Sequence, residues 1–322
     1  MKSAYFVEKN KMEVREFPKA QLVKETDAII KIVRACVCGS DLWWFRGISE
    51  RQPGPVGHEA IGLIEEVGTG VKNFKVGDFV IVPFTHGCGH CPICLAGFEA
   101  NCPNAKDGLN GGYQGEFYRA INADGALVKI PGQPSDYSDD QLASLTTLAD
   151  VMPTGFHAAK AADVHEGDTV VVFGDGAVGL CAVISAKLLG AKRIIAMSRH
   201  EDRAALARDF GATDIIAERG EEAIQKIMSL TNGYGADAAL ECVGTKQAIE
   251  SAFQAVRAGG RVGRVGVPHD VDYNEWIDSL FWKNIQLGGG VASVARWDKE
   301  ILLEAVLSGE INPGRVFTAE FS

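Results

Sequence analysis

Along the first 150 residues the apolar positions come in short runs separated by Gly, Pro and Asp. Asp27–Val37 (DAIIKIVRACV) partly alternates apolar with polar side chains, the pattern of a half-buried strand. Ala60–Val67 and Phe79–Pro83 are short apolar runs bounded by Gly, Asp and Pro, and these too predict strands. Gly54-Pro55-Val56-Gly57 and Asn110-Gly111-Gly112 predict turns or loops. This part reads as an antiparallel, loop-rich β domain.

Near Asp150 the pattern changes. Apolar runs at Val170–Phe173, Arg193–Met197, Asp214–Ala217, Ala238–Cys242, Arg261–Val265 and Ile285–Gly288 predict six strands. Helical patterns lie between them at Val178–Leu189, Glu201–Phe210, Glu221–Leu230, Lys246–Arg257 and Tyr273–Lys283. Strand–helix alternation of this depth predicts a doubly wound parallel sheet. A length of 322 residues fits two such domains, at roughly 100–200 residues each.

Composition narrows the function classes. Lys and Arg number 32 against 42 Asp and Glu, a formal net charge of -10. Nucleic-acid affinity depends on clustered cations, so no nucleic-acid partner is expected. Hydrophobic residues at 46% and charged residues at 23% exclude a disordered chain. The stretch from Phe79 to Phe98 lacks Asp, Glu, Lys and Arg, but Pro83, His86, His90 and Pro92 interrupt it. Such a stretch would leave backbone groups unsatisfied in lipid, and no membrane partner is expected. Met1–Asn10 is charged and lacks the apolar core of a signal peptide, which makes a cytoplasmic location the expectation. Reduced thiols follow, so the eight Cys read first as ligands, nucleophiles or buried thiols.

The run Val170-Val171-Val172-Phe173 leads into Gly174-Asp175-Gly176-Ala177-Val178-Gly179 and then into an apolar helix. A G-x-G-x-x-G is weak alone and gains meaning from this strand–turn–helix setting. Gly174 would make the tight turn, Gly176 would admit a pyrophosphate, and Gly179 would allow close helix–strand packing. The helix N-terminus would offer N–H donors to phosphate. An acid usually stands about 20 residues on to bind a free ribose. Here the second strand ends in Ser198-Arg199-His200, and the Arg199 guanidinium suits a 2′-phosphate. NADP(H) is therefore expected over NAD(H), with Glu201 the alternative ribose ligand. Thr154, Gly244, Val265, Gly266 and Val267 complete the expected cofactor-binding set.

Two sets of candidate metal ligands stand out. Cys88, Cys91, Cys94 and Cys102 are spaced C-x2-C-x2-C-x7-C, which can wrap one tetrahedral Zn²⁺ with no open position. His90, inside that loop, reads as a bystander to four sulfurs. The second set is dispersed over Cys38-Gly39-Ser40-Asp41, Gly57-His58-Glu59 and Asp150, and spacing alone does not join it.

Taken in order, Cys38-Gly39-Ser40-Asp41, Gly57-His58-Glu59, the four-Cys loop and the Gly-rich loop near residue 174 resemble the zinc-dependent medium-chain alcohol dehydrogenases. The likeness runs over nearly the whole chain. It implies an α/β fold: a GroES-like β domain plus a six-stranded parallel Rossmann domain. The GroES-like domain would span residues 1–153, completed by about 291–322, with the Rossmann domain over 154–290. Cys38, His58 and Asp150 match the catalytic zinc ligands of that family, and Glu59 matches a residue that approaches or ligates the metal in some members. Ser40 matches the hydroxyl that passes the substrate proton onward. The resemblance implies two zinc ions per chain, one catalytic and one structural. It implies hydride transfer between a primary or secondary alcohol, or its aldehyde or ketone, and a nicotinamide, in a homodimer or homotetramer.

Two departures go with it. Some members carry a His three residues after the position of Ser40, where this chain has Trp43, so the proton would leave through cofactor hydroxyls, water or another group. Members also usually continue with a further helix and strand, while this chain stops at Ser322, soon after Gly314-Arg315-Val316-Phe317. Trp43, Trp44 and Phe45 read equally as pocket lining or as core. Two other readings stay open at this point: a quinone or enone reductase of the zinc-free type, and a non-catalytic zinc- and dinucleotide-binding module.

Overall fold

The computed structural model of the chain describes residues 1–105, 111–268, 277–293 and 295–321. Asn110 of one expected turn and residues 273–276 of one expected helix lie outside them. The chain divides into two compact units, Met1–Asp150 with Ser293–Gly314, and Val151–Ala292 with Arg315–Ser322.

The first unit opens with a hairpin of β1 (Lys2–Glu8) and β2 (Lys11–Glu16). Asn10 turns it with φ of 60°, a conformation Asn tolerates better than most residues. Next come β3 (Ala28–Ala35), the one-turn helix α1 (Asp41–Phe45) and β4 (Gly54–Pro55). The Gly54-Pro55 pair, expected as part of a turn, pairs instead with Tyr5 and Phe6 of β1. It lies at the edge of a three-stranded sheet, where Pro is tolerated. The strands β5 (Ala60–Val67) and β6 (Phe79–Val82) follow, then the short helix α2 (Pro92–Leu95). β7 (Phe117–Ala120), the short helix α3 (Ala123–Ala126), β8 (Val128–Ile130) and α4 (Asp139–Thr147) close this run. β3 and β5–β8 form an antiparallel five-stranded sheet in the order β7-β3-β5-β6-β8. Ile30, Ile64, Val80, Val82 and Leu127 fill its core.

The second unit alternates helix and strand: α5 (Val151–Ala161), β9 (Thr169–Phe173), α6 (Ala177–Leu188), β10 (Arg193–Met197), α7 (Glu201–Phe210) and β11 (Asp214–Ile216). It continues through α8 (Gly220–Leu230), β12 (Ala236–Glu241), α9 (Lys246–Ala255), β13 (Val256–Arg264), α10 (Ile277–Lys283) and β14 (Gln286–Gly289). All pairings are parallel, in the order β11-β10-β9-β12-β13-β14. Numbered within the unit this is 3-2-1-4-5-6, the doubly wound order whose switch point lies between its first and fourth strands. Val171, Ile195, Ala239 and Val262 have no more than 1% exposure, so burial on both faces explains why these strands read as unbroken apolar runs.

The chain returns to the first unit with α11 (Arg296–Leu307), which packs on α4 and β8. Among the described residues no helix is long and apolar enough to cross a membrane.

Candidate active site

Sheet register assembles the first site. Ala35 ends β3 opposite Ala60, the first residue of β5. The antiparallel pair therefore delivers residues 36–38, leaving one strand, beside residues 57–59, entering the other. The Cys36 N–H donates to the Glu59 carbonyl at 3.3 Å and sets this approach. Asp150 arrives on the turn after α4, held by Asp150 N–H to Thr147 O at 3.3 Å. Cys38, His58, Glu59 and Asp150 each place a ligand atom within 4.8 Å of the others.

The distances suit one tetrahedral ion. His58 Nε2 stands 3.3 Å from Asp150 Oδ2 and 3.6 Å from Glu59 Oε1, and Cys38 Sγ is 3.7 Å from Asp150 Oδ2. Zinc bond lengths imply ligand-to-ligand edges of about 3.4 Å for N and O and about 3.6 Å for S and O. Glu59 Oε1 is buried without a hydrogen-bond partner, the condition a cation would relieve. Sulfur, imidazole and carboxylate are donors that zinc accepts.

Burial and neighbouring charge act together on this group. Burial, with the nearby Asp150 carboxylate, pushes the Cys38 thiol up to about 11 and the Glu59 carboxyl up to about 8. Burial alone would lower the His58 imidazole, but hydrogen bonds with Asp150 and Asp41 outweigh it and raise the group. Asp41, which sequence reading quoted without a role, contacts two members of the group. Its Oδ1 lies 3.4 Å from His58 Nδ1, and its Oδ2 accepts the Cys38 N–H at 3.1 Å. With Nδ1 turned to this carboxylate, Nε2 faces the other ligands, as in carboxylate–histidine–metal triads.

Ser40 stands at the N-cap of α1 and makes no side-chain capping bond. Trp44 packs edge-on against Phe6 with ring centres 4.7 Å apart and lies under the Arg51 guanidinium. For Trp44 the structure favours the packing role.

The second cluster joins Cys88, Cys91, Cys94 and Cys102. Cys88 and Cys94 sulfurs are 4.0 Å apart, and those of Cys91 and Cys102 are 3.9 Å apart. A ZnS4 tetrahedron with bonds of about 2.3 Å has edges of about 3.8 Å. All eight cysteines are free thiols. Cys91 caps α2, its sulfur accepting the Cys94 N–H, and Asn104 Nδ2 donates to Cys88 Sγ at 3.4 Å. Burial raises the Cys88 thiol, but the Asn104 bond and backbone donors overcome it and bring the group down to about 6. His90 turns Nδ1 to the Cys88 carbonyl at 2.9 Å and stands outside the four-sulfur group.

In the second unit, Gly174 follows β9 with φ of +117°, which side chains rarely adopt. A Cβ on Gly179 would sit 2.0 Å from the Gly174 carbonyl oxygen, so α6 enters directly against the loop. Gly244 and Val265-Gly266-Val267 follow the next two strands in sheet order. There the buried Glu241 accepts the N–H groups of Val243 and Gly244, both at 2.7 Å. Nothing in the spacing had marked Glu241. Thr154 lies buried in the first turn of α5.

One expectation needs revision at the tip of β10. Ser198, expected among the residues facing the cofactor, is buried and gives its hydroxyl to Asp175 Oδ2 at 2.8 Å. Asp175, reaching across from the Gly-rich loop, also holds Arg203 Nη1 at 3.2 Å. Arg199 and His200 are exposed. Arg203, a second cation at this edge, escaped sequence reading because it lies one helical turn beyond Arg199.

Comparison with known proteins finds relatives over most of the chain. Residues 24–132 match the family described as alcohol dehydrogenase GroES-like domain, and residues 177–299 match zinc-binding dehydrogenase. The zinc-type alcohol dehydrogenase B of Aspergillus flavus is 37% identical over 303 residues, covering 90% of this chain and 69% of that one. The NADP-dependent isopropanol dehydrogenase of Thermoanaerobacter brockii is 35% identical over 313 residues, 92% and 85% of the two chains. The solved structure of alcohol dehydrogenase TADH from Thermus sp. ATN1 superposes with a TM-score of 0.88 at 30% identity, covering 98% and 91%. The chain is an enzyme and belongs to the zinc-dependent alcohol dehydrogenases of the medium-chain dehydrogenase/reductase superfamily.

Proposed function

We propose that the protein interconverts a small primary or secondary alcohol and its aldehyde or ketone with NADP(H), using one catalytic and one structural zinc ion. The observation that carries this reading is the convergence of Cys38, His58, Glu59 and Asp150 on one tetrahedron-sized space. The relatives from Thermoanaerobacter brockii and Clostridium beijerinckii, both named NADP-dependent isopropanol dehydrogenases, support the substrate class and the cofactor.

When bound, zinc would supply Lewis acidity toward the substrate hydroxyl and the nicotinamide would supply the hydride chemistry. Cys38, His58 and Asp150 would hold the metal, and Glu59 would offer it one further oxygen. Asp41 keeps His58 turned the right way, and Ser40 accepts the hydroxyl proton at Oγ and passes it to solvent or cofactor hydroxyls. The Trp43 indole N–H can donate but not accept a proton, so no imidazole-type relay extends this path. The Gly174–Gly179 loop and the N-terminus of α6 take the pyrophosphate. Arg199 takes the 2′-phosphate.

We assign the catalytic role to the first unit and the dinucleotide to the second. Among the described residues no strand pairs with the outer edge of β14, and this edge, with exposed Phe281 and Trp282 on the preceding helix, supports assembly as a homodimer or homotetramer. Five of the eight cysteines serve as the proposed zinc ligands, and thiolate ligands suit a reducing, cytoplasmic setting.

The test is metal analysis together with absorbance at 340 nm over an alcohol and carbonyl panel, with both NAD(H) and NADP(H). Two zinc ions per chain with turnover are expected. His58→Ala should abolish turnover while cofactor still binds, and Ser40→Ala should lower it by about 10²–10⁴. Turnover undiminished after verified loss of the His58 imidazole overturns the reading. Zinc and cofactor binding without turnover on any alcohol or carbonyl of the panel would reject the proposed substrate class.

A further inference from the structure

We propose that Cys36 is a positioning residue for the metal site, its thiol holding Glu59 so that a single carboxylate oxygen is offered to the ion. The proposal rests on the zinc reading above.

Cys36 lies just past the end of β3, two residues before Cys38. Its backbone is clamped on both sides: its N–H donates to Glu59 O at 3.3 Å, and its carbonyl accepts Gln114 Nε2 at 3.0 Å. The side chain then has little freedom, and Sγ comes 3.2 Å from Glu59 Oε2. A carboxylate only accepts, so the S–H donates.

The two oxygens of Glu59 are thereby made unequal. Oε2 is engaged by the thiol. Oε1 is buried, has no hydrogen-bond partner, and points to within 3.6 Å of His58 Nε2. A carboxylate with 1% exposure pays for desolvation unless both oxygens are satisfied. One donor and one cation satisfy both. Cys36 itself is outside the ligand group found among the described residues, which includes Cys38 and not Cys36. Its place is behind a ligand, the position from which outer partners tune a metal.

The test uses the zinc-loaded full-length protein. Zinc is competed away with a chromophoric chelator, and the visible spectrum of the cobalt-substituted protein is recorded. Cys36→Ala should weaken the site formed with His58 by about 10–100-fold and shift the cobalt bands, with the four-Cys ion unmoved. Cys36→Val fills the space without a donor and should behave like Cys36→Ala, so it carries the test if the smaller residue disturbs folding. Cys36→Ser keeps a donor and should recover most of the affinity. In a Glu59→Gln background, Cys36→Ala should change affinity by less than about twofold, since the effect runs through Glu59. Unchanged affinity in both Cys36→Ala and Cys36→Val overturns the proposal. So does an equal loss in the Glu59→Gln background, which would mean packing alone. His58→Ala separates the two ideas: if it loses no ion, the zinc reading itself fails, whatever Cys36 does.

Discussion

Lys299 Nζ stands 3.0 Å from Glu99 Oε2, and both side chains are almost wholly buried. Glu99 lies between Cys94 and Cys102 in the four-Cys loop, whereas Lys299 lies on α11, two hundred residues later. The same carboxylate accepts the Arg296 N–H at 3.2 Å, and Ser293 Oγ accepts the neighbouring Ala100 N–H at 3.0 Å. Breaking a buried pair from one side leaves an uncompensated charge, at a cost of about 3–5 kcal/mol. Glu99→Ala should lose stability in that range by denaturant unfolding. Replacing both partners, as Glu99→Leu with Lys299→Met, should restore most of it. Equal losses from the single and double variants would show that the pair is not coupled.

Cys91→Ser should cost one zinc ion per chain and lower the melting temperature. Structural zinc contributes folding free energy directly, and Cys91 also caps α2 through Cys94 N–H. Metal analysis paired with calorimetry checks this. Two retained ions with an unchanged melting temperature would remove the structural assignment.

Arg199→Ala should erode preference for NADP(H) mainly through a higher Michaelis constant for NADP. One charge-assisted bond to phosphate is worth roughly 1.5–3 kcal/mol, or about 10–150-fold. Arg203→Ala should weaken NADP binding too, because it leaves the Asp175 carboxylate un-neutralised at the edge where Arg199 would take the phosphate. Titrations with both cofactors are the measurement, and wild-type efficiency with NAD equal to or above NADP would contradict the assignment.

Asp237 gives the second unit an acid-sensitive joint. Its carboxylate accepts Thr169 N–H at 2.8 Å and Arg257 Nε–H at 2.7 Å, tying β12 to the starts of β9 and β13. Burial alone would raise this carboxyl, but these hydrogen bonds and the Arg257 and Arg261 charges lower it. A folded value below the unfolded one means the unfolded chain binds more protons between the two. The stabilisation is therefore complete above the unfolded value, about 3.9, and is lost as pH falls through the folded value. Asp237→Asn should flatten that part of the stability–pH curve and cost about 1.5–3 kcal/mol at neutral pH. An unchanged acid limb would exclude this role.

The second unit was legible because its strands are buried on both faces. Arg193–Met197 and Glu201–Phe210 coincide with the expected elements, each an apolar or amphipathic run with charged residues at its start. The hairpin β1–β2 went unread because β2 alternates exposed with half-buried positions and carries Lys, Glu and Arg. Helix α5 escaped because Pro153 and Gly155 break the look of a helix, although Pro in the first turn costs no intrahelical bond. The four-Cys loop was visible because its ligands are local. The Cys38, His58, Glu59 and Asp150 group was joined by resemblance alone, since the pairing of Ala35 with Ala60 and the turn after α4 bring it together. Asp41 and Cys36 were hidden for the same reason: each acts on a residue about 20 positions away.

The segment that returns to the first unit has a consequence for biosynthesis. Strands β9–β14 are consecutive in the chain, so the parallel sheet can close as soon as residue 289 has emerged. The first unit starts earlier yet is complete only after that sheet, because the partners of Ser144 and Glu99 arrive with Asn312, Gly314 and Lys299. Contacts across such separations slow folding and leave apolar surface open while they wait. The nascent first unit is therefore the part of this enzyme most in need of chaperone shelter, and the first to suffer when translation stalls before residue 293.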